Sequence, residues 1–379
     1  MKIVIWGTKK RAEIFIDKIL NGFADIVEIV AVTSNEEKIE GCRIGNRNYI
    51  FVKPEDLGNS EFDFCIICSA AIVSIVSQII NNHYIPISKV KTEDEAYKII
   101  IAEKMRNKEM LEADLKNRFL KKHIDDKQIK LLPEYEYINK YGIKMYPYEW
   151  FYKLPDEISE VYEEDGMRYI VYKGKKCFYP NEYTDERILE SANFFIKEQN
   201  KKSPHCYLPD GMSMKDYIVV DGGSAEANFT LDIIDEVKKV YVVEGDGIWQ
   251  EPLRRTFKEY EDKVVIVDKY LDSYAHDNCD TIDNIVKENK IDFIKMDIEG
   301  YELKALYGAK EHIFNSDNLK MSICAYHNPE DADVITAYLE SLGFDYEFGL
   351  GYIFRMDDSI WKASYPEMRK GMIYAKKRR

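Results

Sequence analysis

Apolar positions along the chain fall into two rhythms. Residues 217–220 form an unbroken apolar run rich in β-branched side chains, the profile of a buried parallel strand. Asp221 stops the run and Gly222-Gly223 turns it. Residues 227–238 then follow a helical period, with Phe229, Leu231, Ile233, Ile234 and Val237 as the apolar set. A second run, 240–243, ends in Glu244. The same alternation predicts strands at 263–267, 292–297, 319–325, 344–349 and 371–377. Helices are predicted to begin near Ala227, Trp249, Asp280, Glu302 and Pro329. Regular alternation of this kind builds an α/β fold, a parallel sheet with helices on both faces. The last two strands read as an antiparallel pair.

The N-terminal stretch repeats the theme. Strands are expected at 2–6, 27–33, 62–69 and 85–90, with helices at 11–20 and 70–81. This gives a Rossmann-like accessory domain over residues 1–91. Its turn, GTKKRAE, carries one glycine where a phosphate cradle wants two or three. Residues 92–131 read as a helical linker, whose stripe of Met105, Leu111, Leu115 and Phe119 could serve a homodimer. Residues 132–211 are rich in tyrosine. They predict a hairpin (168–172 and 176–179), then a helix over 181–200 burying Ile188, Leu189, Phe194, Phe195 and Ile196, then a plain connector at 201–211. This segment is expected to cap the cleft of a final domain, 212–379.

Net charge narrows the partners. At −14, the chain lacks the clustered cations that phosphate neutralisation needs, which argues against nucleic acid. The basic tail at 376–379 is too short to change this. Seven cysteines make no disulfide framework, and strand alternation puts Cys65 and Cys68 on opposite faces. No apolar run approaches the length of a membrane span. A cytoplasmic protein is the expectation.

Ligands of such sheets sit beyond the carboxyl ends of the strands, where strand order reverses. The candidate cofactor residues are therefore Asp221, Gly222, Gly223, Ser224, Ala225, Glu226 and Asn228 after the first strand, and Glu244, Gly245 and Asp246 after the second. Asp268, Lys269 and Tyr270 follow the third, and Asp297 the fourth. Glu244 stands where an acid can take a ribose hydroxyl pair. Negative charge at the glycine turn repels a pyrophosphate but suits a sulfonium, so S-adenosyl-L-methionine is preferred to NAD as cofactor.

A further stretch, IDFIKMDIEGYEL at 291–303, makes the pattern specific. Together with Asp221, Gly223, Asn228 and Glu244, it resembles the FkbM-type methyltransferases, matching at Asp292, Phe293, Ile294, Lys295, Asp297, Glu299, Gly300 and Glu302. The resemblance covers about 216–378 and departs at Ala227, where the family usually has glycine. It implies a class I methyltransferase sheet of seven strands with an antiparallel final strand. It also implies methyl transfer from S-adenosyl-L-methionine. The acceptor implied by the family, and by an N-terminal domain that resembles those of polysaccharide and sugar-nucleotide enzymes, is a sugar hydroxyl in polysaccharide or glycan synthesis. His327 is the first candidate base, expected at a strand end with a pKa near working pH, and Asp297 the second. Period-two spacing would align Lys295, Asp297 and Glu299 on one strand face, with the two acids as partners of the lysine. Asp297, Glu299 and His327 could instead hold a divalent cation; the spacing leaves the metal open. Two rivals remain: an NAD-dependent sugar-nucleotide enzyme working through the N-terminal domain, and a non-catalytic cofactor-binding scaffold.

Overall fold

The computed structural model describes residues 1–35, 42–288, 290–356 and 366–378, so Arg379 of the basic tail lies outside the described residues. The chain divides into two compact units, Met1–Ala113 and Asp114–Arg379.

In the first unit, strands β1 (Lys2–Trp6), β2 (Glu28–Thr33), β5 (Phe64–Ile67) and β6 (Val90–Thr92) form a parallel sheet in the order β2-β1-β5-β6. Helices α1 (Lys10–Phe23) and α2 (Ile72–Asn82) accompany it. A short hairpin, β3 (Cys42–Ile44) and β4 (Arg47–Tyr49), was not foreseen, because three-residue strands carry no readable period. The strand expected at 85–90 is displaced: Ile87–Lys89 is a 3-10 turn, and pairing begins at Val90. Cys65 and Cys68 do pack into different apolar clusters, as alternation requires. Gly7 is needed for packing: a Cβ there would collide with the Cys68 carbonyl.

Residues 92–131 supply one long helix, α3 (Glu93–Lys122). Its expected stripe is split, with Leu115 and Phe119 buried but Met105 and Leu111 exposed. Among the described residues no helix is long and apolar enough to cross a membrane.

The second unit begins with α4 (Pro133–Tyr141) and α5 (Glu149–Lys153). Strands β7 (Tyr162–Glu164), β8 (Met167–Tyr172) and β9 (Lys175–Phe178) then form an antiparallel sheet. The β8–β9 turn is two residues, Lys173 and Gly174, both at positive φ, the backbone that matches strand twist. Helix α6 (Asp185–Glu198) starts at Thr184, whose side chain accepts from the Arg187 amide. It buries Ile188, Ala192, Asn193 and Glu198, whereas Phe194, expected inside, is 39% exposed.

The main sheet comprises β10 (Ile218–Gly222), β11 (Lys239–Val243), β12 (Val264–Val267), β15 (Phe293–Met296), β16 (Lys320–Cys324), β17 (Phe344–Phe348) and β18 (Met372–Lys377). A small parallel pair, β13 (Tyr270–Leu271) and β14 (Cys279–Asp280), lies between β12 and β15 in sequence. The order is β12-β11-β10-β15-β16-β18-β17, and β18 runs antiparallel to both β16 and β17. Helices α7 (Asn228–Ile233), α8 (Gln250–Thr256), α9 (Ile282–Ile285), α10 (Glu302–Tyr307), α11 (Lys310–Asn315) and α12 (Asp331–Ser341) connect the strands. Helix α7 stops five residues short of expectation, because the Lys238 amide bonds the Tyr217 carbonyl (2.9 Å) to start β11. Alternate strand residues feed two cores: Val219, Val240 and Phe293 on one face, Val220, Tyr241 and Ile294 on the other. Strand order reverses between β10 and β15, which places a ligand crevice at their carboxyl ends.

Candidate functional site

A cavity of about 950 Å³ opens at those carboxyl ends. From the predicted set, Gly223, Ser224, Ala225, Glu226, Glu244, Gly245, Asp246, Lys269, Tyr270, Lys295, Asp297 and Glu299 line it. Asp221, Gly222, Asn228, Asp268 and His327 do not.

Asp221 is fully buried. Its Oδ2 accepts from the Thr230 hydroxyl at 2.7 Å, and its Oδ1 lies 3.1 Å from Lys295 Nζ. Asp221 and Lys295 face each other in the β10–β15 register, so the lysine's partner is Asp221 rather than Asp297 or Glu299. Lys295 Nζ also donates to the Gly222 and Gly223 carbonyls, at 3.1 and 2.7 Å. Burial alone would lower the ammonium pKa, but Asp221 and then Asp297 outweigh it and hold it above its usual value. Asn228 is buried, with its Oδ1 3.7 Å from Cys177 Sγ, and Asp268 points to solvent. Gly223 lines the cavity and is also required for packing: a Cβ there would collide with the Asp297 carbonyl.

Glu244 is tied at both oxygens. Oε2 accepts from the Ala225 amide (3.0 Å) and Oε1 from the Asp246 amide (2.8 Å). Each carboxylate oxygen has two acceptor sites, so one per oxygen remains for a ligand hydroxyl. Burial raises its pKa above the usual carboxylate value. The Tyr270 ring lies against Gly245, where a Cβ would strike it. Leu271 and Asp272, which the sequence did not suggest, continue this wall.

After β15 the chain does not stay extended. Glu299 and Gly300 both take positive φ, which breaks the period-two alignment. Glu299 is left largely exposed, 3.0 Å from Arg355. Asp297 turns inward. Its Oδ2 accepts from the Tyr207 hydroxyl (2.6 Å) and lies 3.4 Å from His205 Nε2. Its Oδ1 lies 3.2 Å from His327 Nε2. Burial would raise the Asp297 pKa, but the two imidazoles override it and hold the group well below the usual range.

His327 is buried and does not face the cavity. Its Nδ1 lies 2.9 Å from Glu302 Oε1. Burial lowers its pKa, but Asp297 and Glu302 reverse the effect and raise it to about 10. A base must be neutral to act, so this imidazole is unsuited to that expected role at neutral pH. The expected cation trio also changes: Glu302, not Glu299, joins Asp297 and His327 with ligand atoms within 4.8 Å of one another. His205, Asp297 and Cys324 form a second such group.

Reading by local pattern missed His205 and Tyr207, which sit in what looked like a plain connector. It also missed Glu198. This carboxylate lines the cavity, accepts from the Tyr146 hydroxyl at 2.6 Å, and lies 3.9 Å from His205 Nδ1. Burial lifts its pKa to about 7. A histidine two residues before a tyrosine in a proline-flanked segment was the available signal.

Residues 1–91 match the C2185-like N-terminal family, and residues 260–346 match the Methyltransferase FkbM domain. A search of curated proteins found no match to the chain. Among solved structures, the methyltransferase FkbM from Methylobacillus flagellatus KT is 16% identical with a TM-score of 0.36; the alignment covers 99% of this chain and 89% of that one. A putative methyltransferase from Streptococcus mutans in complex with SAH is 15% identical with a TM-score of 0.30, over 43% of this chain and 89% of that one. In the C-terminal region of this chain, the stretch from 260 to 346 is therefore similar to the methyltransferase FkbM domain.

Proposed function

We propose that this protein is an S-adenosylmethionine-dependent O-methyltransferase whose acceptor is a sugar hydroxyl in glycan synthesis. The observation that carries the cofactor reading is the acidic corner. Glu226, Glu244 and Asp246 line the cavity around the turn at Gly223, a poor seat for a pyrophosphate and a good one for a sulfonium nucleoside. The free acceptor sites on Glu244 fit two ribose hydroxyls, and Tyr270 with Leu271 offers an adenine a flat apolar wall. S-adenosylmethionine, when bound, supplies a methyl group on a positively charged sulfur.

The chain's part is to seat the acceptor and take its proton. Glu198 is the fitting proton acceptor, because it lines the cavity and titrates near neutral pH. Asp297 stays anionic and fixes the Tyr207 hydroxyl and His205 around the acceptor. Calorimetry tests the cofactor: S-adenosylmethionine and S-adenosylhomocysteine should bind and NAD should not, and the reverse order would overturn the reading. Release of S-adenosylhomocysteine in the presence of glycan acceptors then separates an enzyme from a scaffold that only binds.

A further inference from the structure

Strands β13 and β14, with the loop between them, bring together a carboxylate, an imidazole and a thiol: Asp272, His276 and Cys279. One donor atom of each lies within 4.8 Å of the other two. All three residues line the cavity. Their backbones are fixed. The Asp272 amide donates to the Asp280 carbonyl at 3.0 Å, and His276 and Cys279 exchange amide–carbonyl bonds at 3.1 and 2.6 Å. The Asp272 carbonyl also packs where a Cβ on Gly308 would stand. The side chains are aimed as well. Asp272 Oδ1 accepts from the Ser273 amide and hydroxyl, at 2.6 and 3.0 Å, and Oδ2 lies 3.3 Å from His276 Nε2. The Tyr274 ring lies 4.6 Å from the imidazole, centroid to centroid. His276 Nδ1 faces the Asp277 carboxylate at 3.7 Å.

We propose that Asp272, His276 and Cys279 bind a zinc ion whose fourth position opens on the cavity. Thiolate, imidazole and carboxylate together are the donor set of a borderline-soft divalent ion, and magnesium and calcium prefer oxygen alone. A thiolate and a carboxylate cancel the double charge of the ion. The ion takes the place of the proton between Asp272 and His276, and Asp277 orients the far side of the imidazole, as carboxylates do for ligating histidines. The two other groups of this kind, at Asp297, fit an ion less well. Burial drives the Cys324 thiol well above its usual pKa, and His327 is held protonated by Asp297 and Glu302.

Metal titration of the full chain under a phosphine reductant tests this. Cobalt(II), which reports on a zinc site through its colour, should give a thiolate charge-transfer band and the intense visible bands of four-coordination. Zinc should erase both, and excess magnesium should leave them. Cys279→Ser should remove the charge-transfer band. Cys279→Ser and His276→Ala should each lower zinc affinity, read by competition with a chromophoric chelator, by about 100-fold or more, the upper end of what losing an outer-shell partner costs. Cys324→Ser should keep the charge-transfer band. Zinc should raise the melting temperature of the wild type and of neither ligand variant, which shows that both variants fold. A charge-transfer band that survives in Cys279→Ser, unchanged zinc affinity in His276→Ala, a band lost in folded Cys324→Ser, or displacement of cobalt by magnesium would each overturn the proposal. S-adenosylhomocysteine takes no part in these measurements, so they decide the metal site whether or not that ligand binds.

Discussion

Asp221 and Lys295 are register partners on adjacent strands, and their charges meet at 3.1 Å with neither side chain open to solvent. Removing one member of such a pair strands the other in a low-dielectric interior. Asp221→Ala should therefore cost about 3–5 kcal/mol of stability. Denaturant unfolding measures it. A variant of wild-type stability that had lost only cofactor affinity would show that Asp221 acts on the ligand after all.

Glu198 sets the expected pH dependence of turnover. A proton acceptor works as the carboxylate, so kcat/KM should rise with pH through about 7, where this group titrates. Glu198→Gln should flatten that limb and lower turnover by roughly 10²–10⁴-fold, the usual worth of general base catalysis. Binding of S-adenosylhomocysteine should persist. A retained limb in the variant would assign the titration to another group.

His327 should reveal itself through stability. Its folded pKa, about 10, lies above the ordinary histidine value, so its ion pairs stabilise the protein fully below that ordinary value. The contribution fades as pH rises through about 10. His327→Gln should thus be destabilised by roughly 3 kcal/mol at pH 6, with the gap to wild type closing toward pH 10. Thermal melts across this range check the slope. A gap independent of pH would mean that the imidazole packs without charge.

Gly245 offers a probe of the proposed adenine wall. A side chain there strikes the Tyr270 ring, so Gly245→Val should displace that ring and weaken S-adenosylhomocysteine binding by about tenfold or more, equivalent to roughly 1.4 kcal/mol. Calorimetry reads the change. Unaltered affinity would remove Tyr270 from the nucleoside site.

The sheet was legible because its strands are continuous apolar runs, and the residues after them fell where strand ends must put them. Glu244 and Tyr270 reach the cavity in this way. The partnership of Asp221 with Lys295 was not, because cross-strand register is set by packing far from either residue in sequence. Glu299 misled for a local reason: positive φ at Glu299 and Gly300 ends the alternation that spacing assumed. Glu198, His205 and Tyr207 were hidden by distance, lying 90 or more residues before Asp297 and reaching it only through the packing of α6 and the segment after it.

The Asp297 carbonyl occupies the space where Gly223 would carry a Cβ, and the Asp297 amide bonds the Gly222 carbonyl at 3.1 Å. Two loops from neighbouring strands are thereby locked backbone to backbone. A shift of the turn at Gly223 would therefore carry the Asp297 backbone with it, because neither strand end has room to move alone.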